Sequence, residues 1–142
     1  MKKRIIAVDY GKKRTGLAIS DELHFLATGI KTVDTEKMIW ELKQIFVQYD
    51  VDTILLGYPK NLDGSPTDIT AKVEKVCTQL EKLFTDKKVI LWDERYTSKM
   101  AFQAMIDSGL KKSDRRNKAL IDEMSARILL QGYLDGQGNT LL

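Results

Sequence analysis

The stretch that decides the fold is RIIAVDYGKKRTGLAIS, residues 4–20, in which two apolar runs flank a basic glycine turn. Residues 4–10 and 14–20 have the composition of short strands, and residues 27–33 repeat it after a polar turn. Three such strands in succession predict an antiparallel meander. The first strand ends at Asp9, a carboxylate where an apolar core strand would be expected to stay apolar.

The rest of the chain alternates helical and strand patterns. Helices are predicted over 36–49, 67–85, 98–108 and 116–134, and buried strands over 53–58 and 88–94. Strands that alternate with helices pair in parallel, so the two later strands are expected beside the first. The predicted fold is one α/β domain over residues 1–142, with three layers, a mixed five-stranded sheet and helices on both faces. Trp40 and Trp92 are assigned to its core.

Composition limits the chemistry. The chain has one cysteine, Cys77, and one histidine, His24, which argues against a disulfide framework and against a zinc site. Any metal would then be a hard cation held by carboxylates, such as Mg²⁺ or Mn²⁺. A lone cysteine suits a reducing compartment, and the apolar runs are too short to span a bilayer. We therefore expect a cytoplasmic protein that has no membrane partner.

Positive charge is concentrated in clusters, although the net charge is only +3. One cluster is the turn at 12–14, and another is KKSDRRNK at 111–118. Such clusters suit a phosphate-rich partner, but solvated lysine-rich turns would give the same pattern. The candidate nucleic-acid contacts are Lys12, Lys13, Arg14, Arg95, Lys111, Lys112, Arg115 and Arg116. Arg14 and Arg95 could instead be buried partners of the aspartates that end the strands.

Several carboxylates are expected at one edge of the sheet, where the parallel strands end. Asp9 ends the first strand. Asp93 and Glu94 end the last, and only one of them can readily join Asp9 because neighbouring strand residues point to opposite faces. Asp122 lies on the last helix in a stripe of small and apolar residues, where an acid is out of place. The alternative is that these acids only cap turns or helix ends.

Convergence of Asp9, Glu94 and Asp122 would have a clear chemical meaning. Carboxylates ~5 Å apart repel each other by about 3 kcal/mol per pair at an effective dielectric constant near 20. Divalent cations between the oxygens would offset this repulsion. Two Mg²⁺ or Mn²⁺ ions there could activate a water and stabilise the leaving oxygen of a phosphodiester. The flanking basic residues would then bind the phosphate backbone.

Four motifs carry a family resemblance over residues 4–135: VDYGKKRTGLAIS, GYPKNLDGS, DERYTS and IDEMSARILLQGYLD. Together and in this order they resemble the pre-16S rRNA nucleases, also called the Holliday-junction-resolvase-like (YqgF or RuvX) family. The resemblance implies a ribonuclease H-like fold and catalysis by Asp9, Glu94 and Asp122. It also implies a bacterial cytoplasmic protein that processes the 5′ end of small-subunit rRNA or acts on branched DNA.

One departure concerns the second acid. Resolvases of this superfamily carry an acid on the fourth strand, and here that strand ends LLGYP without one. Glu94 would have to substitute for it from the next strand, which leaves the geometry of this ligand open.

Other function classes stay open on the sequence alone. An ATPase or kinase of the actin and sugar-kinase type shares the pattern DYGKKRTG, but it needs two such domains and more than twice this length. A non-catalytic assembly factor would bind RNA and the ribosomal small subunit through the basic clusters, with acids that are purely structural. A junction resolvase would also need a homodimer to cut two strands, whereas an RNA-processing nuclease would not.

Overall fold

The computed structural model describes residues 3–58, 67–93, 103, 106–107 and 118–139. Its strands are β1 (Arg4–Asp9), β2 (Arg14–Ser20), β3 (Ala27–Asp34), β4 (Val51–Tyr58) and β5 (Lys88–Asp93). Its helices are α1 (Met38–Gln48), which follows a 3₁₀ turn (Thr35–Lys37), α2 (Thr70–Leu83) and α3 (Lys118–Asn139). The predicted helix 98–108 and most of the basic stretch 111–118 lie outside the described residues, except that positions 103, 106 and 107 are helical.

The five strands form one mixed sheet in the order β3-β2-β1-β4-β5. The pairs β1–β2 and β2–β3 are antiparallel, and the pairs β1–β4 and β4–β5 are parallel. The central strands β1 and β4 read as continuous apolar runs because both of their faces are covered. The predicted meander and the two added parallel strands are therefore confirmed.

Alternate side chains of the sheet enter two separate cores. Ile6 and Val8 of β1 pack in the core that α1 and α2 cover. Ile5 and Ala7 pack in the core beneath α3. This alternation is the ordinary consequence of a strand with both faces buried. The predicted arrangement of three layers, with helices on both faces, is confirmed.

The assignment of both tryptophans to the core is wrong. Trp40 is 60% exposed, because the inward side of α1 is taken by Met38, Leu42 and Ile45. Trp92 is 37% exposed on the edge strand β5, where its ring meets Tyr133 of α3 edge to face at 5.0 Å between centroids. Apolar character alone does not say which side of an element a side chain occupies.

Two helix boundaries differ from the prediction by about three residues or more. The helix α2 begins at Thr70 and not at residue 67, because the Thr67 N–H donates to the Thr70 hydroxyl at 2.7 Å and forms the turn before the helix. The helix α3 continues past residue 134 to Asn139, and its buried Tyr133 and Leu134 hold it against the sheet. Within the described ranges, no helix has both the length and the apolarity that crossing a membrane requires.

Candidate active site

Asp9 and Asp122 are brought to one side of the sheet by a close contact between β2 and α3. Asp9 is the partner of Gly16 in the β1–β2 register, and directly paired residues share a face. A Cβ atom added to Gly16 would lie 2.1 Å from the backbone oxygen of Asp122. Only glycine therefore permits this approach of the helix to the strand. Asp9 also continues the alternation of Ile5 and Ala7, which lie beneath α3.

Arg14 has its partner on α3. Its Nε donates a hydrogen bond to Oδ2 of Asp122 at 3.0 Å, which is also an ion pair. The two side chains are 38% and 29% exposed, so the pair contributes at most about 1 kcal/mol to stability. The idea that Arg14 could be a carboxylate partner is correct, but its acid is Asp122 and not a strand-end aspartate. The bond uses one of the two carboxylate oxygens and fixes the side chain's orientation.

The basic turn and Asp122 share one open cleft of about 640 Å³. Its lining residues come from the β1–β2 turn, the start of α2 and the start of α3: Gly11, Lys12, Lys13, Arg14, Thr67, Asp68, Ile69 and Asp122. Lys12 and Lys13 are exposed. Their charges are therefore available to an anion that enters the cleft, next to a carboxylate that the fold holds in place.

The basic turn is fixed to the segment that precedes α1. The Thr35 hydroxyl donates to the Gly11 carbonyl at 2.7 Å, and the Thr35 N–H donates to the Lys13 carbonyl at 2.9 Å. The hydroxyls of Thr15 and Thr35 also lie within hydrogen-bond distance, at 2.9 Å. These bonds fix the backbone before and after Lys12, and they therefore favour a fixed position for the charges of Lys12 and Lys13.

Sequence reasoning missed the contribution of Thr67, Asp68 and Ile69 to the cleft. The prediction placed these residues inside the second helix, whereas they form the turn before it. A polar Thr-Asp pair just before a helical apolar pattern is a start signal that could have indicated this. The amino end of α2 consequently borders the cleft, where the positive end of a helix dipole favours anions.

Asp93 lies on the other face of the sheet. It is the partner of Tyr58 in the β4–β5 register, and Tyr58 packs against the core under α1 and α2. The Tyr58 hydroxyl donates to Glu74 of α2 at 2.7 Å, and this bond raises the pKa of the phenol. Asp93 therefore lies on the face opposite Asp9, so it is not the strand-end acid that joins it.

The other predicted site residues, Glu94, Arg95, Lys111, Lys112, Arg115 and Arg116, lie outside the described residues. Of the three predicted catalytic acids, the described chain brings Asp9 and Asp122 to the same face and edge. Within the ranges described above, no three histidine, cysteine, aspartate or glutamate side chains cluster closely enough to hold a metal ion.

Relatives of this chain carry a consistent name. A protein of Flavobacterium psychrophilum named "Putative pre-16S rRNA nuclease" is 50% identical over 131 residues, which are 92% of this chain and 96% of the relative. One of Bacteroides fragilis with the same name is 42% identical over 132 residues, 93% of this chain and 96% of the relative.

The fold has a counterpart among solved structures. Thermus thermophilus RuvC in complex with a Holliday junction substrate superposes with a TM-score of 0.58 at 12% identity, covering 97% of each chain. At this identity the likeness concerns the fold alone, and it confirms the predicted ribonuclease H-like architecture. The family described as RuvX, Holliday junction resolvase, matches residues 3–136. Because that match spans nearly the whole sequence and agrees with the named relatives, this chain belongs to the RuvX family.

Proposed function

We propose that this chain is a metal-dependent nuclease that hydrolyses phosphodiester bonds during 5′-end processing of pre-16S rRNA in the cytoplasm. One observation carries the proposal. Asp9 and Asp122 share a face of the sheet at the carboxyl end of β1, where the Gly16 contact fixes α3 beside an open basic cleft. The names of the relatives support the choice of RNA as substrate.

The acids of this edge fit a hard divalent cation, because carboxylate oxygens are the ligands that Mg²⁺ and Mn²⁺ prefer. Asp9, Asp122 and Glu94 would hold two such ions. Glu94 is the better third ligand because Asp93 occupies the opposite face, under α1 and α2. When bound, the ions supply an activated water and stabilise negative charge on the leaving oxygen.

The chain's own residues have three tasks in this proposal. Lys12 and Lys13 bind substrate phosphates in the cleft, and the basic residues at 95, 111, 112, 115 and 116 extend that binding. Arg14 orients the Asp122 carboxylate through its Nε hydrogen bond. Asp9 is held on a central strand whose preceding residues are buried, so its position changes little when substrate binds.

The test is cleavage of a 5′-extended small-subunit rRNA precursor with Mg²⁺, with Mn²⁺ and with a chelator. Asp9→Asn and Asp122→Asn should each lower the rate by about 100-fold or more while RNA affinity is nearly kept. Asp93→Asn is the matched control, since it removes a carboxylate from the end of β5 on the other face of the sheet, and its rate should match that of the unchanged protein. Metal-independent cutting, or an equal loss in all three variants, would sink the proposal.

A non-catalytic RNA-binding assembly factor is the second candidate, and the Arg14–Asp122 ion pair favours it. In that role the pair is a structural contact, and it explains an acid on α3 without any metal. This candidate predicts tight binding to the precursor or to the ribosomal small subunit with no cutting under any metal. It also predicts that Asp9→Asn leaves assembly unchanged.

Action on branched DNA is tested in the same experiment. A four-way DNA junction replaces the RNA precursor, and the oligomeric state is measured in solution, because cutting two strands symmetrically needs a homodimer. If a dimer cuts the junction and leaves the RNA intact, the substrate is branched DNA and not pre-rRNA. That result would leave the roles of Asp9 and Asp122 unchanged.

A further inference from the structure

Trp40 projects from the outer side of α1, and it is 60% exposed. The opposite side of the same helix supplies Met38, Leu42 and Ile45 to the core. A large aromatic ring that stays mostly in water gains only part of the burial energy that it could contribute. Its flat apolar surface is therefore available to another molecule.

Lysines outnumber acids among the exposed neighbours of Trp40. Lys37 and Lys43 stand three residues before and after it, and Glu36 stands four residues before it. The nearby Glu41 forms an ion pair with Lys31. Across the surface from the basic turn to the middle of α1, exposed lysines outnumber exposed acids: Lys12, Lys13, Lys37 and Lys43 against Asp34 and Glu36. This excess of positive charge complements the phosphates of a nucleic acid.

This surface is connected to the cleft through Thr35. Thr35 bonds to the carbonyls of Gly11 and Lys13, which line the cleft, and the helix that carries Trp40 follows directly. Trp40 lies five positions after Thr35 along the 3₁₀ turn and α1, a rise of about 8 Å. Because a stacked strand rises ~3.4 Å per nucleotide and an extended strand rises more, at most about two or three nucleotides cover this distance.

We propose that Trp40 is a stacking platform for a base of single-stranded RNA that leaves the cleft over the basic turn, with Lys37 and Lys43 on its phosphates. The inference rests on the proposed function and names a substrate contact of the same site. Stacking on an exposed aromatic ring tolerates any base, because every base has a π-face. Trp40 thus strengthens binding of the substrate strand without selecting its sequence.

The test measures the affinity of a short single-stranded RNA in chelator, so that cutting plays no part. Trp40→Ala should weaken binding about tenfold, and Trp40→Phe should recover most of the loss. Phe25→Ala is the matched control. Phe25 is an aromatic residue that is 75% exposed on the β2–β3 turn, at the end of the sheet away from the cleft, and its removal should not change affinity.

Two further measurements separate stacking from charge. Inorganic polyphosphate has no bases, so Trp40→Ala should bind it as the unchanged protein does. A plot of log affinity against log salt concentration should keep its slope in Trp40→Ala. The slope should become shallower by about 1.4 when Lys37 and Lys43 are both changed to glutamine, because two phosphate contacts are lost. In a Trp92→Phe background Trp40 is the one remaining tryptophan, and its fluorescence should change when RNA is added.

Three results would overturn the inference. Unchanged RNA affinity in Trp40→Ala would remove the stacking role and leave the nuclease proposal intact. Equal losses in Trp40→Ala and Phe25→Ala would show that the effect is not local to this surface. If the unchanged protein does not bind the RNA at all, the proposed function fails together with the inference.

Discussion

The two faces of the sheet are packed in different ways. Under α1 and α2 the core consists mainly of bulky side chains, such as Ile6, Leu42 and Leu56. Under α3 small residues are frequent: Ala7, Ala18, Ala27 and Ala126, with Gly16 at the carboxyl edge. Large side chains keep helices at a distance, whereas small ones let the backbone of α3 reach the backbone of β2.

This difference separates two tasks. The bulky face buries large aliphatic side chains, which is the main source of stability. The small-residue face places Asp122 by backbone contact, which leaves little freedom in its position relative to Asp9. A substitution on the small-residue face should therefore lower the cleavage rate by more than its loss of stability explains. A substitution on the bulky face should lower the stability without changing the cleavage rate per folded molecule.

The largest effect is expected from Gly16→Ala. The new Cβ would overlap the Asp122 carbonyl, so α3 must shift, at a cost of about 3 kcal/mol in the free energy of unfolding. A displacement of Asp122 by ~1 Å should also lower the cleavage rate about 100-fold. Urea unfolding and single-turnover cleavage measure the two losses.

Gly132→Ala on the same helix is the control for that substitution. An added Cβ at Gly132 meets no atom within 4 Å, so alanine should raise the free energy of unfolding by about 0.5–1 kcal/mol through its better helix propensity. If both glycine variants shift stability in the same direction, the backbone contact at Gly16 does not have the role assigned to it.

Leu42→Ala should have a large effect on stability alone. Leu42 is fully buried at the centre of the α1 and α2 face, and its truncation leaves a cavity that costs about 2–5 kcal/mol. Cleavage per folded molecule should stay as in the unchanged protein, because Asp9 and Asp122 lie on the other face of the sheet, on the side of α3. A rate loss at temperatures where the variant is fully folded would show that the two faces are coupled.

The fold was predictable because its signals are local. Apolar runs, turn residues and helical spacing predicted the meander, the parallel strands and both helical layers, and the structure has all of them. Asp9 and Asp122 could be singled out in the same way, since each is an acid in an apolar pattern. Their common face, however, depends on the β1–β2 register and on the contact of Gly16 with α3, which no local signal contains.

The misses have related physical reasons. Trp40 was placed in the core on hydrophobicity, but its position on the helix directs it outward. The partner of Arg14 is 108 positions away in sequence, so no spacing rule could identify it. Ile69 and its two predecessors line the cleft only because α2 starts one turn later than its apolar pattern suggests.

The reactivity of the Cys77 thiol reports how well the core under α1 and α2 is closed to solvent. The thiol is buried on the inner side of α2, and burial together with Glu81 raises its pKa from 9.0 to about 11. The thiolate fraction near pH 8 is then about 100-fold lower than in an ordinary cysteine. Reaction with a thiol reagent should be correspondingly slow in the native protein, and faster in Leu42→Ala. Rapid labelling of the native protein at pH 8 would show that this face opens readily.

The raised pKa of Cys77 also makes stability depend on pH. Because the thiol's pKa is higher in the folded state, this group's contribution to stability is present below pH 9 and is lost as pH rises towards 11.

The smallest effect is expected at the far end of the small-residue face, where α3 is held by a side chain. Gln131 accepts a hydrogen bond from the Ala27 N–H at 2.9 Å and donates one to the Phe25 carbonyl at 3.0 Å. The turn it holds is organised by Asp21, whose Oδ1 accepts the N–H groups of Phe25 and Leu26 at 2.8 and 2.9 Å.

These backbone bonds, chiefly that of Leu26, lower the pKa of Asp21 below 3.8. An acid with a lowered folded-state pKa contributes stability above its ordinary value, and the contribution is lost as pH falls through the folded-state value. Hydrogen exchange should therefore show lower protection of the Phe25 and Leu26 amides below pH 3.8, and Asp21→Ala should show the low protection at every pH. Cleavage at neutral pH should not change in this variant, because the turn lies at the opposite end of the sheet from Asp9. A cleavage loss comparable to that of Gly16→Ala would mean that α3 transmits a change from one end to the other, and that its side-chain clamp is as important to the site as its backbone contact.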